Sequence, residues 1–262
     1  MTADVLAVCA LVLCAAAAAR STWSPCGLSM LATITPLAEG GRGHRYRAAA
    51  AWFVVGGLAG GISLGLAYGG LAALVRSTAP TPVVLATVAL AATIVTLAAE
   101  LGLWDFRLPV HHRQVNERWL DQFRPWVYAG GFGWQVGTGL ATYIMTPALY
   151  LMILLAALTA TPWVALAVGA SFGLLRGLAV LLGRNITDTQ SLTSFHRRFH
   201  DAEPLVWRAL VAVEATVALA CAWVMSPWVV PVLAVVAIPA ATVGRRSRRP
   251  ERVPSHAPAG PG

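Results

Sequence analysis

Lysine is absent from this chain, and charge of either sign is scarce. All 19 cationic residues are Arg, set against 11 acidic ones, and charged residues make up 11% of the 262 positions. A soluble domain carries about a quarter, because its surface must face water. So little charge cannot cover a water-soluble fold of this size. Cysteine is sparse as well. Cys9, Cys14, Cys26 and Cys221 form no C-x-x-C pair and no metal-ligand spacing, so neither a disulfide framework nor a zinc module is indicated. The sequence also lacks a phosphate-binding loop, a catalytic triad and a metalloenzyme signature, so no cofactor or metal is expected and enzymatic activity is left open.

Hydrocarbon fills the space instead. Hydrophobic residues make up 57% of the chain, with a mean hydropathy of +0.67. They fall in blocks of about 20, the length that crosses a ~30 Å hydrocarbon core. The blocks run approximately over 5–38, 48–75, 82–104, 129–158, 161–183 and 205–243. The first is too long for one straight span at about 1.5 Å per residue. It contains Arg20 and the run Trp23-Ser24-Pro25-Cys26-Gly27, which predicts a broken or re-entrant helix. Ser226-Pro227-Trp228 can divide the last block into a hairpin, adding a helix at 228–243. Residues 5–19 also fit a signal-peptide core with Ala17-Ala18-Ala19 as its cleavage point, but no positive residue precedes them.

The net charge of +8 raises nucleic acid as a partner, but the Arg residues sit in short loops and the tail, which is a membrane pattern. Arg42, Arg45 and Arg47 lie in the first loop, Arg107, Arg113, Arg118 and Arg124 in the third, and Arg184, Arg197 and Arg198 in the fifth. Arg245, Arg246, Arg248, Arg249 and Arg252 crowd the end, while the even loops are nearly free of cations. The positive-inside rule then places the N-terminus outside and the C-terminus in the cytoplasm. Residues 1–243 read as the transmembrane domain and 244–262 as a disordered basic cytoplasmic tail. Arg without Lys and Ala-rich helices suggest a GC-rich bacterial genome, hence the bacterial inner membrane, with the lipid bilayer as the first partner.

An internal repeat organises the spans. Trp23 answers to Trp134, Thr35-Pro36 to Thr146-Pro147, and Trp52 to Trp163, all at one offset. One residue further on, Gly57, Gly61 and Gly65 answer to Gly169, Gly173 and Gly177. Such glycine ladders let helices pack closely. Three helices per half, about 5–104 and 129–225, make the second copy enter with opposite sense. The fold expected is therefore an all-α integral membrane protein of six to seven transmembrane helices, in two inverted three-helix repeats with broken first helices. Pro25, Pro36 and Pro147 mark the breaks, and inverted-repeat proteins place their working sites there.

Ser24-Pro25-Cys26 opening a helix, followed by Leu28, Thr35-Pro36, a basic loop and a Gly-rich helix, resembles the transmembrane thiol–disulfide conductors of the CcdA/DsbD type. The resemblance implies a relay of reducing equivalents from a cytoplasmic thioredoxin-like protein to extracytoplasmic partners, including those of cytochrome c maturation. It makes Cys26 the candidate redox thiol. In that family each half supplies a Pro-Cys motif, whereas here Gly137 occupies the position matching Cys26. Thiol exchange needs a second sulfur to resolve a mixed disulfide.

Intramembrane charge offers a second set of candidates. Glu214 lies mid-helix, Arg176 about two turns from a helix end, and Arg20 just before the first motif; pairing of Glu214 with Arg176 or Arg20 is expected. Glu39 and Glu100 sit near helix ends, where solvation is expected. Gln135, Thr138, Thr142, Tyr143 and Ser29 are candidates to line a path between the halves. His196 and His200, four apart, and His111-His112 read as solvated loop residues. Two other readings stand beside thiol redox: a transporter of a small solute or metal ion on the same scaffold, and a non-catalytic membrane partner holding another protein.

Overall fold

The computed structural model describes residues 2–103, 119–141 and 144–225, and among these every regular element is helical. The helices are α1 (Thr2–Ser21), α2 (Pro25–Thr33), α3 (Pro36–Gly41), α4 (Tyr46–Ser77), α5 (Pro82–Glu100), α6 (Trp119–Gln122), α7 (Pro125–Thr138), α8 (Ala148–Leu158), α9 (Pro162–Leu178) and α10 (Thr189–Met225), with a 3-10 segment, Ala179–Asn185, after α9. Arg107, Arg113, Arg118, His111, His112, Thr142, Tyr143, the 226–228 divider, the 228–243 helix and the tail lie outside the described residues.

Proline starts these helices. Pro25, Pro36, Pro82, Pro125 and Pro162 each occupy the first turn, where a missing N–H costs nothing and the fixed φ is already helical. The preceding hydroxyl completes three of the starts: Ser24, Thr35 and Thr81 accept from the backbone N–H of Gly27, Ala38 and Val84. The breaks predicted at Pro25, Pro36 and Pro147 are thus helix restarts.

Among the described residues, five helices are long and apolar enough to cross a membrane: α1, α4, α5, α9 with its 3-10 extension, and α10. Their outward faces carry Val8, Leu11, Val12, Val55, Leu66, Leu74, Val83, Val88, Ile94 and Leu174, all exposed. Water would not tolerate such a continuous apolar surface, whereas lipid requires it. Trp52 and Trp126 pack together near the first turns of α4 and α7, and Trp163 starts α9; these exposed rings suit the headgroup level.

Helix α4 is the centre of the bundle, packed along α9 on one side and α7 on the other. The two glycine ladders expected from sequence meet each other. Gly57 lies against Gly177, Gly61 against Gly173, and Gly65 against Gly169, so α4 and α9 run antiparallel with their backbones touching. Gly56 faces Gly130 and Gly60 faces Trp134, so α7 runs parallel to α4. The apolar interior divides along α4. Ala49, Ala50 and Phe53 join α2 and α7 around Cys26, whereas Leu64, Tyr68 and Ala72 join α1, α8 and α10.

Because a Cβ on Gly61 would overlap the Gly169 carbonyl, Gly61→Ala should lower stability by about 2 kcal/mol or more. Gly70, on the same helix with open space around its Cα, is the control: Gly70→Ala should be neutral or stabilising by about 0.5–1 kcal/mol. Thermal unfolding of the two variants in detergent checks the contrast.

Candidate functional site

The chain between α1 and α2 is a tight turn, not a loose linker. Trp23 N–H donates to the Arg20 carbonyl and Ser24 N–H to the Ser21 carbonyl, and the Ser24 hydroxyl then caps α2. A Cβ on Gly27 would overlap the Thr22 carbonyl, so the first turn of α2 sits directly on this turn. The N-terminal part of α10 clamps it from outside. Trp23 Nε1 donates to the Phe199 carbonyl at 2.8 Å, the two rings stack with centroids 4.1 Å apart, and Arg20 pairs with Glu203 at 3.3 Å.

This turn delivers Cys26 into the interior, where 2% of it is exposed. Its cluster includes Met30, Phe53, Phe132, Val136 and Val180. Arg176 comes to the same place from α9. It too is 2% exposed, and it donates from Nε to the Val136 carbonyl at 3.4 Å. Arg176 Nη1 has no hydrogen-bond partner among the described residues. A cavity of about 10 Å³ beside Arg176 is lined also by Thr22, Gly27, Phe53 and Val136, room for a single water-sized group.

No second thiol joins Cys26 in its core cluster. Cys9, Cys14 and Cys221 belong to the other core cluster, where the Cys14 thiol donates to the Val168 carbonyl, and none of the four cysteines is in a disulfide. Gly137, the counterpart of Cys26, explains itself in the fold: a Cβ there would overlap the carbonyl of Gly57. The position is committed to the α4–α7 backbone contact and cannot accept a cysteine without moving one of the helices. The second break follows at once, with Gly139 at φ +65 ending α7 and Thr146 Oγ1 accepting from the Ala148 N–H to restart α8.

The expected charge pairs are redistributed. Glu214 meets neither Arg176 nor Arg20: Arg20 goes to Glu203, Arg176 to the Val136 carbonyl, and Glu214 faces Glu100 and Thr96. Thr138 donates to the Gln135 carbonyl within α7, so its hydroxyl is satisfied locally, while Gln135 is partly buried. His196 and His200 are exposed on α10, and no group of three or more His, Cys, Asp or Glu that could hold a metal occurs among the described residues.

Glu39 corrects the expectation of a solvated helix end. It is fully buried and accepts from the Tyr128 hydroxyl at 2.7 Å and from Arg42 Nη1 at 3.1 Å, with His44 Nδ1 at 3.6 Å. Tyr128 comes from α7, so this network ties the first basic loop to the second half of the chain. Sequence reasoning passed it over because nothing near Glu39 in the chain announces a partner 89 residues away.

Comparison with known proteins now decides the family. The chain is 38% identical over 178 residues to the methylamine utilization protein MauF of Paracoccus denitrificans, covering 61% of this chain and 58% of that one. It is 32% identical over 206 residues to MauF of Methylophilus methylotrophus and 32% over 208 residues to MauF of Paracoccus versutus. Those matches cover 76% of this chain, and 70% and 73% of the relatives. The chain belongs to the MauF family. No family model and no solved structure matches it. The chain thus spans less than two thirds of the length of the Paracoccus denitrificans MauF, and activity is not carried over whole.

Two variants probe this site. Phe199→Ala removes the ring on which Trp23 stacks and should raise the maleimide labelling rate of Cys26 roughly fivefold, by loosening the turn that starts α2. Gly137→Cys should yield less folded protein and no disulfide with Cys26, read by non-reducing gel shift.

Proposed function

We propose that this protein is a membrane component of a methylamine utilisation system, acting in the maturation of an extracytoplasmic protein with Cys26 as its reactive group. The observation that carries this reading is that Cys26, at a broken helix, and the guanidinium of Arg176 are both buried and both meet Val136 or its core cluster. The name of the relatives supplies the system, and the resemblance to CcdA/DsbD-type conductors supplies the chemistry.

In such chemistry the sulfur of Cys26 attacks a partner disulfide. The partner S–S bond breaks, a mixed disulfide forms, and the other partner sulfur leaves as a thiolate that takes a proton. Arg176 stands where negative charge on sulfur develops and is lost. With Gly137 in place of a second cysteine, resolution falls to a thiol of the partner or of a thioredoxin-like protein. Burial of Cys26 means that the turn at Trp23 must open first, which gives the clamp by α10 a role in timing.

The architecture belongs to the same proposal. Helices α7 and α8 together make one crossing, interrupted between Gly139 and Pro147, so that the described residues cross six times and the apolar 228–243 block a seventh. Support for two inverted repeats comes from the ladder contacts: under the sequence equivalence, the pair Gly57–Gly177 exchanges with Gly169–Gly65, and Gly61–Gly173 maps onto itself. The Arg distribution supports a bacterial inner-membrane protein with its N-terminus outside and its C-terminus in the cytoplasm.

One observation favours a second reading. The exclusion of a thiol at position 137 suits a transporter of a small solute on the same scaffold, which needs no sulfur. Complementation separates the two in a methylamine-utilising bacterium deleted for its own MauF. Cys26→Ala should abolish growth on methylamine, and acid-trapped maleimide gel shift of the wild type should show a reducible, Cys26-dependent adduct. Full growth of the Cys26→Ala strain would end the thiol reading and leave transport or a purely structural partnership.

A further inference from the structure

The seam between α1 and α10 opens outward as a groove of about 420 Å³. Val5, Val8 and Val12 line it from α1, and Val213, Val217 and Ala220 from α10. With Cys9 and Thr216 added, the lining on each helix follows the i, i+3, i+4, i+7 spacing of a single face. Two such stripes of stiff β-branched side chains make a trough that takes the ridge of a third helix. No described residue fills it: Val8 is 60% exposed and Val12 48%. The other helix packed along α10 is α5.

Direction and length point to what belongs there. The two helices run antiparallel, since Arg20 pairs with Glu203 at one end while Asp4 and Ala220 share the groove at the other. The last described residue of α10, Met225, lies one to two turns beyond Ala220, at the Asp4 end. After it, outside the described residues, come Ser226-Pro227 and the uncharged block 228–243, composed mostly of Val, Ala, Leu, Ile and Pro. As a helix this block is about 24 Å long, whereas the groove takes up about 12 Å of α1. Its small, β-branched side chains suit close helix packing in lipid. A two-residue tether also gives it an effective concentration that a helix of another chain lacks. Acyl chains are abundant, but they lose more freedom in a rigid trough than a formed helix does.

We propose that the α1–α10 groove is the docking site of this chain's own segment 228–243, which runs back along α10 and parallel to α1. The inference rests on the seven-crossing reading of the chain and is independent of any reaction at Cys26. Docking covers Val8 and Val12, and it carries the Arg-rich residues after 243 toward the Arg20 end of α1, where the polar arm of α10 holds the turn at Trp23.

The test is disulfide crosslinking of the full chain in native membranes. A Cys9→Ala background removes the native thiol of the groove, and a protease site inserted at Ala79-Pro80, between α4 and α5, separates the two cysteines after oxidation. A turn at Ser226-Pro227 returns Val236 to about the level of Thr216 and Val8. Val8→Cys, paired in turn with single cysteines at positions 232 to 240, should therefore hold the fragments together best near Val236→Cys. With Val12→Cys the best partner should move about four residues toward the C-terminus. Leu66→Cys, 63% exposed on α4, is the control and should crosslink about fivefold less. Val8 and Val12 are both exposed, so if one variant fails to fold the other carries the comparison. Crosslinking no greater than the control overturns the proposal, and so does a product of two whole chains, which would give the groove to a second copy. Labelling of Ser247→Cys in spheroplasts by a membrane-impermeant maleimide separates the failures. Labelling ends the seven-crossing reading and the docking with it, whereas protection without a crosslink ends the docking alone. Cys26→Ala should keep the crosslink, so the thiol reading stands or falls separately.

Discussion

Backbone-to-backbone contact along α4 is the constraint on which the rest of this structure depends. Lipid gives apolar helices no hydrophobic reason to associate, so the energy must come from close van der Waals approach and from polar groups meeting across the interface. Glycines at positions 56, 57, 60, 61 and 65 strip two faces of α4 of side chains, and α7 and α9 press against them. That contact fixes the level of α7 against α4, hence where Gly139 ends α7. Through α9 it fixes the height at which Arg176 enters the core. The Cys26 pocket is assembled from what these three helices bring to one level.

The same constraint dictates a chemical choice. A side chain at position 137 would separate α7 from α4, and a cysteine there would cost the packing that positions its partner. Packing took precedence over a second sulfur, and a buried guanidinium stands near the remaining one. Under the proposed thiol chemistry this differs from a symmetric pair of thiols, because the charge would be supplied by the protein and the second sulfur would come from elsewhere.

Much of this was legible in the sequence, and the illegible part has a physical cause. Trp23, Thr35-Pro36 and the glycine ladders were readable because close packing and helix restarts demand particular residue types at particular spacings. The helix starts at Pro25 and Pro36 followed directly from the geometry of proline. Ion pairing was not readable. Glu214 was expected to pair with Arg176 or Arg20, and the partners actually taken depend on helix rotation and on the fold-back of α10. Glu39 looked solvated because helix ends usually are, yet Tyr128 from a distant helix seals it in. Phe199 gave no signal at all, since one aromatic in an otherwise polar stretch resembles any partly covered surface residue.

Helix α10 is a single rod of 37 residues, about 55 Å long, with Pro204 between its polar first part and its apolar span. Its polar arm grips the turn at Trp23, and its span carries Glu214. A helix resists stretching far more than it resists bending, and Pro204, which removes one rung of its ladder, is where it bends most easily. Whatever takes hold of the arm outside the bilayer therefore works a lever, with one end on the turn at Trp23 and the other on the span that carries Glu214.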